Sequence, residues 1–215
     1  MKAKLLTSLA ILLFSALSTH AQITQGKYLL GGSIIYSNTQ DDQNGTPHQE
    51  YFGSNIQIGN VFKENTVAGV ILSYSHTNNS PISTSDHYGA GVFYRKYKLL
   101  VKDLVFYGEA DAVYTYTKNI QGKFVIGSEG SRFKGNGAMI SFVPGLSYAV
   151  FKKLQVELSM PNIASISYSK GKTESTYTNG TDVVTSKSNS FSANANLNAN
   201  LLGNFAIGFK FLLGK

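Results

Sequence analysis

The sequence predicts an all-β protein, an eight-stranded antiparallel up-and-down β-barrel. Three observations carry that expectation. Apolar and polar residues alternate with a period of two through most of the 215-residue chain, and no convincing stretch carries the 3.6-residue period of an amphipathic helix. Clusters of Asn, Gly, Asp and Lys divide the chain into eight alternating segments. The connections between segments alternate between short and long. An even number of strands with that asymmetry brings both chain ends to the short-turn side.

The first 21 residues stand apart. Lys2 and Lys4 precede the short apolar run "LLTSLAILLFSAL", and "THA" precedes Gln22. This is the pattern of an export signal, cleaved after Ala21 to leave residues 22–215 as the barrel. The apolar run is shorter than the ~20 residues a spanning helix needs. There is no cysteine, so stability must come from the sheet without disulfides.

The strands are expected near 27–37, 51–62, 67–77, 86–97, 104–117, 136–150, 154–178 and 181–213. "KENT" (63–66), "KLLVKD" (98–103) and "KKL" (152–154) are the short connections. Those near 38–50, 78–85, 118–135 and 170–188 are longer and polar. Asn179-Gly180 is a strong hairpin signal. It would pair Thr178 with Thr181 and extend the last hairpin well beyond the ~9–11 residues of a membrane crossing. Pro144 and Pro161 interrupt the sixth and seventh strands, and a bulge is expected at one or both.

Alternation gives each strand two faces. One face carries residues such as Leu30, Ile56, Ile58, Val70, Val92, Ala110, Ile140 and Val156 and holds no charge. The other holds Lys27, Arg95, Glu109, Asp111, Glu157 and Lys210, among Gly, Ser, Asn and Gln. Aromatic residues on the uncharged face gather at strand ends. One group is Tyr36, Phe52, Tyr74, Tyr88, Tyr114, Tyr116 and Tyr168. The other is Tyr28, Phe62, Tyr94, Phe106, Tyr148, Phe209 and Phe211. Two aromatic girdles around an aliphatic band are what the two interfaces of a bilayer select. A Lys or Arg at the bilayer midplane of a barrel costs ~2–4 kcal/mol, which explains the empty register of charge. Charged residues make up 14% of the chain, against ~25% in soluble domains. The barrel is therefore expected to be transmembrane. A secreted lipocalin-like barrel, with this face around a ligand, would not sort its aromatics into two rings. The formal charge of +7 does not indicate nucleic acid, because the lysines look scattered over turns and loops with no basic stripe and the chain is read as exported.

With the export signal, the eight amphipathic strands, the loop asymmetry and the aromatic end "FAIGFKF" in place, the chain resembles the small eight-stranded outer-membrane barrels of Gram-negative bacteria, the OmpX/OmpA-type and related families. The family's terminal aromatic is followed here by "LLGK". The resemblance covers residues 22–215. It implies residence in the outer membrane as a monomer, in contact with outer-membrane lipid and lipopolysaccharide, after insertion by the barrel-assembly machinery. It implies little about activity.

Candidate chemistry is sparse. Glu109 and Asp111 point inward together, and with Arg95, Glu157 and Lys210 they are expected to form a lumen charge network, since a buried charge needs a partner. The spacing of His48, His76 and His87 matches no metal site, and no catalytic or cofactor-binding residue is assigned. Ser54 and His76 are brought close at the outer rim by the turn at 63–66, but the sequence shows no carboxylate to orient the histidine. The expected function is that of an integral outer-membrane barrel, not an enzyme, with a structural or surface-interaction role. The polar loops "SNTQDDQNGTPHQE" and "GKTESTYTNGTDVVTSKSN" would meet an extracellular ligand or protein. A narrow channel and a lipid-modifying enzyme are the alternatives.

Overall fold

The computed structural model describes residues 23–39, 48–80, 82–122, 130–160, 163–176, 183–195 and 206–214. The expected export signal, the Asn179-Gly180 turn and Pro161 lie outside the described residues. Among the described residues there are ten strands: β1 (Tyr28–Thr39), β2 (His48–Lys63), β3 (Thr66–Ser80), β4 (Ser83–Val101), β5 (Leu104–Gln121), β6 (Gly130–Ala149), β7 (Leu154–Ser159), β8 (Ala164–Thr176), β9 (Val183–Ala195) and β10 (Ala206–Leu213).

β1 to β6 pair in sequence. β6 pairs with β7, β7 with β10, and β10 returns to β1. The result is a closed eight-stranded, antiparallel, up-and-down barrel, in which β7 and β8 form the seventh arm and β9 and β10 the eighth. Closure removes the free edges that an open sheet would expose.

The seventh arm breaks where a proline was expected to disturb it. Gly145 faces Ser159 and Phe142 faces Ala164, so two residues of β6 lie against four of its partner. Pro144 itself causes no slip against β5, where it faces Gly108 in an unbroken register. Its carbonyl accepts from Met160 N at 3.0 Å. In an antiparallel ladder the N and O of one residue point to the same neighbour. The missing N–H of Pro144 therefore faces the place where the seventh arm is interrupted, and no ladder bond is lost.

The eighth arm differs from the single strand expected over 181–213. Ala195 faces Ala164, whereas Ala206 faces Ser159, so the two pairs are eleven residues apart on the eighth arm and five on the seventh. Above this break Thr176 faces Val183, in line with the expected pairing of Thr178 with Thr181.

The distal connections are shorter than expected. β3 runs to Ser80 and β4 starts at Ser83, so both strands reach into the loop expected over 78–85, and Asn79 Nδ2 donates to Ser83 Oγ at 3.4 Å. β5, β6, β8 and β9 likewise extend into segments expected to be loops. Thr-, Ser- and Asn-rich sequence wetted on both faces gives no apolar alternation, yet the ladder of backbone bonds continues through it.

The other end is compact. Asn65, at the β2–β3 turn, takes a left-handed φ of 57°, which Asn tolerates better than most residues. It donates to Ile23 O at 3.0 Å and accepts from Tyr97 N at 2.8 Å. Ala149 N donates to Asp103 O and Leu212 N to Lys153 O, tying the short turns into one rim.

The uncharged face is outside: Ile140 is 63% exposed and Val92 56%. The inward face is more apolar near the short turns than expected. Ile23, Leu29, Val61, Val67, Phe93, Tyr97, Val105, Tyr107 and Leu212 form one buried cluster there. An eight-stranded lumen is narrow enough for side chains to fill, and each such side chain contributes roughly 1.5–3 kcal/mol on burial. Gly59 and Gly69 face each other beneath the Phe93 ring. A Cβ on either would meet that ring at 2.7 Å.

Candidate functional site

Register explains the centre of the lumen. Arg95 and Glu109 are both inward, on β4 and β5, and directly opposite each other. Arg95 Nε donates to Glu109 Oε2 at 2.7 Å. Arg95 Nη1 donates to Glu157 Oε1 on β7 at 2.6 Å and to the Tyr97 hydroxyl at 3.0 Å. Arg95 Nη2 donates to Gln57 Oε1 on β2 at 3.3 Å, and Gln57 Nε2 donates to Glu109 Oε1 at 2.9 Å.

Lys210, on β10, donates to Gln57 Oε1 and lies 4.0 Å from Glu157 Oε2. Gly31 sits between Gln57 and Lys210 in the ladder. Its missing side chain gives Lys210 room, because a Cβ there would meet Nζ at 2.8 Å. Asp111 lines the space above, and its Oδ1 has no partner among the described residues.

Arg95, Glu109 and Glu157 are only 2–3% exposed. Charges this deep are costly unless paired with good geometry, and the planar guanidinium satisfies two carboxylates at once. It also lies 4.2 Å from the centroid of the Tyr107 ring, a cation–π contact. Five strands from opposing walls are thereby braced across the lumen. Arg95, Glu109, Glu157 and Lys210 come together as one network, with Asp111 at its edge. Sequence reasoning missed Gln57, Tyr97 and Tyr107. All three lie on the charged face, and counting back from the short turns would have placed them level with Arg95.

Above the network is a cavity of about 370 Å³, lined by Tyr51, Ser73, His87, Asp111, Thr115 and Ser141 among others. Below the network lies the apolar cluster. The lumen is thus a cup closed at the short-turn end.

The residues expected in the two aromatic groups face outward. Tyr28, Tyr36, Tyr88, Tyr94, Tyr114 and Tyr168 are each about half or more exposed, as are Phe62 and Phe209. Phe52, Tyr74, Tyr88 and Tyr116 form a chain of tilted neighbours, 5.1–6.3 Å between centroids. Lys96 and Lys98 also face outward, beyond Tyr94 at the short-turn rim.

At the distal rim, His76 Nδ1 and Asp86 Oδ1 are 2.7 Å apart, and the Tyr74 hydroxyl donates to the same Asp86 oxygen at 3.3 Å. The histidine therefore has the orienting carboxylate that the sequence did not reveal. It became visible only through the β3–β4 register, in which His76 faces Asp86. Ser54 faces Tyr74, one step diagonally from His76. The bond from His76, with a smaller contribution from Tyr74, holds the Asp86 carboxyl below its usual value of 3.8. His48 bonds Glu50 at 3.1 Å, and His87 bonds Ser85 and Thr117. Among the described residues no group of His and acidic side chains is arranged to hold a metal ion.

A scan against protein-family models finds no match, and a search of the curated proteins finds none either.

Proposed function

We propose that the chain is an integral barrel of the bacterial outer membrane, of the small eight-stranded OmpX/OmpA type, with a structural or surface-interaction role. The observation that carries the reading is the outer wall: a charge-free aliphatic band between two aromatic rings, on a barrel whose own apolar cluster occupies only the short-turn end of the lumen. Water gives no reason for such a wall, whereas hydrocarbon requires it. Export through removal of residues 1–21, insertion by the barrel-assembly machinery, and monomeric residence among outer-membrane lipids belong to the same reading.

The surface role rests on the projecting hairpins. β3, β4, β5 and β6 have 15 to 20 residues each, against the ~9–11 that cross a bilayer. The closed cup counts against the narrow channel. The His76–Asp86 pair favours a second reading, a lipid-modifying enzyme at the distal rim with Ser54 as nucleophile. Lipid mass spectra of cells carrying His76→Ala would test it, and acylation identical to that of the unmutated strain rejects it.

The principal test places spin labels at Ile58, Val92 and Leu146 in protein refolded into bilayers. Contact with acyl tails is expected, together with faster gel migration before boiling than after. Labels that report an aqueous or sealed environment would overturn the membrane reading.

A further inference from the structure

The cross-strand register assembles a basic row that the linear sequence conceals. Lys118 on β5 faces Lys134 on β6, Lys134 faces Lys172 on β8, and Lys172 faces Lys187 on β9. All four lie on the outward face of the sheet, and Lys134, Lys172 and Lys187 are exposed. This corrects the expectation that the lysines form no stripe: they lie far apart in sequence, and only strand pairing aligns them. Arg132 and Lys170 flank the row on the same face.

Like charges directly opposite each other on adjacent strands are destabilising. Here three such pairs follow in succession, over about 14 Å at the usual strand spacing. The protein compensates only part of this. Glu174 bonds Lys172 at 2.7 Å, and Asp86 faces Lys118 but is already bonded to His76 and Tyr74. Among the described residues no ion pair joins Lys134 or Lys187. The row is therefore arranged for anions from outside the chain.

Its height identifies their source. Tyr114, Ala138, Tyr168 and Phe191 form the parallel row four residues lower on the same face. Four residues span ~13 Å along a strand. With a strand tilt of ~35–45° the lysines lie on the order of 10 Å beyond the aromatic row. That is the level of headgroup phosphates, clear of the hydrocarbon.

We propose that Lys118, Lys134, Lys172 and Lys187 form a docking row for the phosphate groups of a phosphorylated glycolipid, the lipopolysaccharide of the outer leaflet. The proposal rests on the membrane reading above and deepens it by locating the lipid contact. Neighbouring glycolipids would set their phosphates between adjacent lysines, cancelling the repulsion and fastening the β5–β9 side of the barrel to its lipid surround.

The test uses the mature chain refolded in detergent micelles and measures binding of purified lipopolysaccharide. The K118Q/K134Q/K172Q/K187Q variant is expected to bind about 100-fold more weakly, since each lysine near an anionic lipid surface contributes roughly fivefold and the contributions do not fully add. The matching four-arginine variant should retain binding, and so should K96Q/K98Q at the opposite rim. Dephosphorylated lipopolysaccharide should bind the unmutated chain as weakly as intact lipopolysaccharide binds the glutamine variant. Removing like charges should not impair folding, which gel migration before boiling checks independently.

Equal binding of the phosphorylated and dephosphorylated lipids overturns the proposal, as does undiminished binding by the four-glutamine variant. Equally tight binding of phosphatidylglycerol vesicles through the same lysines overturns the choice of glycolipid. If the spin labels report acyl tails while the row is indifferent to lipopolysaccharide, the docking row fails and the barrel reading stands. If the chain does not insert, both fail.

Discussion

Replacing Arg95 by Met removes the one group among the described residues that bonds both Glu109 and Glu157, at 2.7 and 2.6 Å. Methionine keeps much of the volume against Tyr107 and supplies no charge. Both carboxylates are then left in the lumen with Lys210 as their nearest cation, 4.0 Å from Glu157 and bonded to Gln57. Breaking a buried ion pair from one side costs about 3–5 kcal/mol. Lys210 offsets part of that, which places the expected loss near the lower figure, about 3 kcal/mol. With a urea dependence of roughly 2 kcal/mol/M, the unfolding midpoint should fall by about 1.5 M. Reversible unfolding from lipid vesicles, followed by tyrosine fluorescence and gel migration, measures it. The companion variant R95M/E109Q/E157Q/K210M removes all four charges and should return to within about 1–2 kcal/mol of the unmutated protein, because a neutral buried network of similar volume is often no less stable. The reasoning is refuted if Arg95→Met alone shifts stability by less than about 0.5 kcal/mol. Solvent would then be screening the lumen as it screens a surface pair, and the cup would be wet to its floor.

Three further outcomes follow from the same geometry. Val92→Arg puts a charge in the middle of the outward band and should cost ~2–4 kcal/mol in a bilayer; no loss there would mean that the band does not meet hydrocarbon. Gly69→Val should lose about 1–3 kcal/mol in the same unfolding assay, because the added carbons meet the Phe93 ring and the backbone of β2, neither of which can yield cheaply. Asp86 lies one step beyond Tyr88 toward the β3–β4 connection, with its folded pKa below 3.8. Its contribution to the β3–β4 hairpin is therefore present above pH 3.8 and lost as pH falls through the lower folded value. A carboxyl carbon titration by NMR should show that depressed midpoint, and His76→Ala should move it back up; an unmoved midpoint would show that His76 is not its cause.

Much of the barrel was legible in the residues because a strand's two-residue period is local. Alternation alone separates Arg95, Glu109, Glu157 and Lys210 from Val92, Ala110, Val156 and Phe209, and that separation determines the class of fold and which face is outward. The dipeptide at 179–180 likewise prescribed the register of β8 against β9. What pairs with what across the barrel depends on contacts between residues distant in sequence, so it was not legible. The slip of the eighth arm between Ala195 and Ala206 depends on how many residues each arm inserts at the break. The partnership of His76 with Asp86, the place of Gln57 beside Lys210 across Gly31, the apolar floor sealed by Ile23, and the alignment of Lys118, Lys134, Lys172 and Lys187 all appear only when the strands are joined in one closed register. A chain's own periodicity states which way a side chain points; only hydrogen bonding between strands states what it meets.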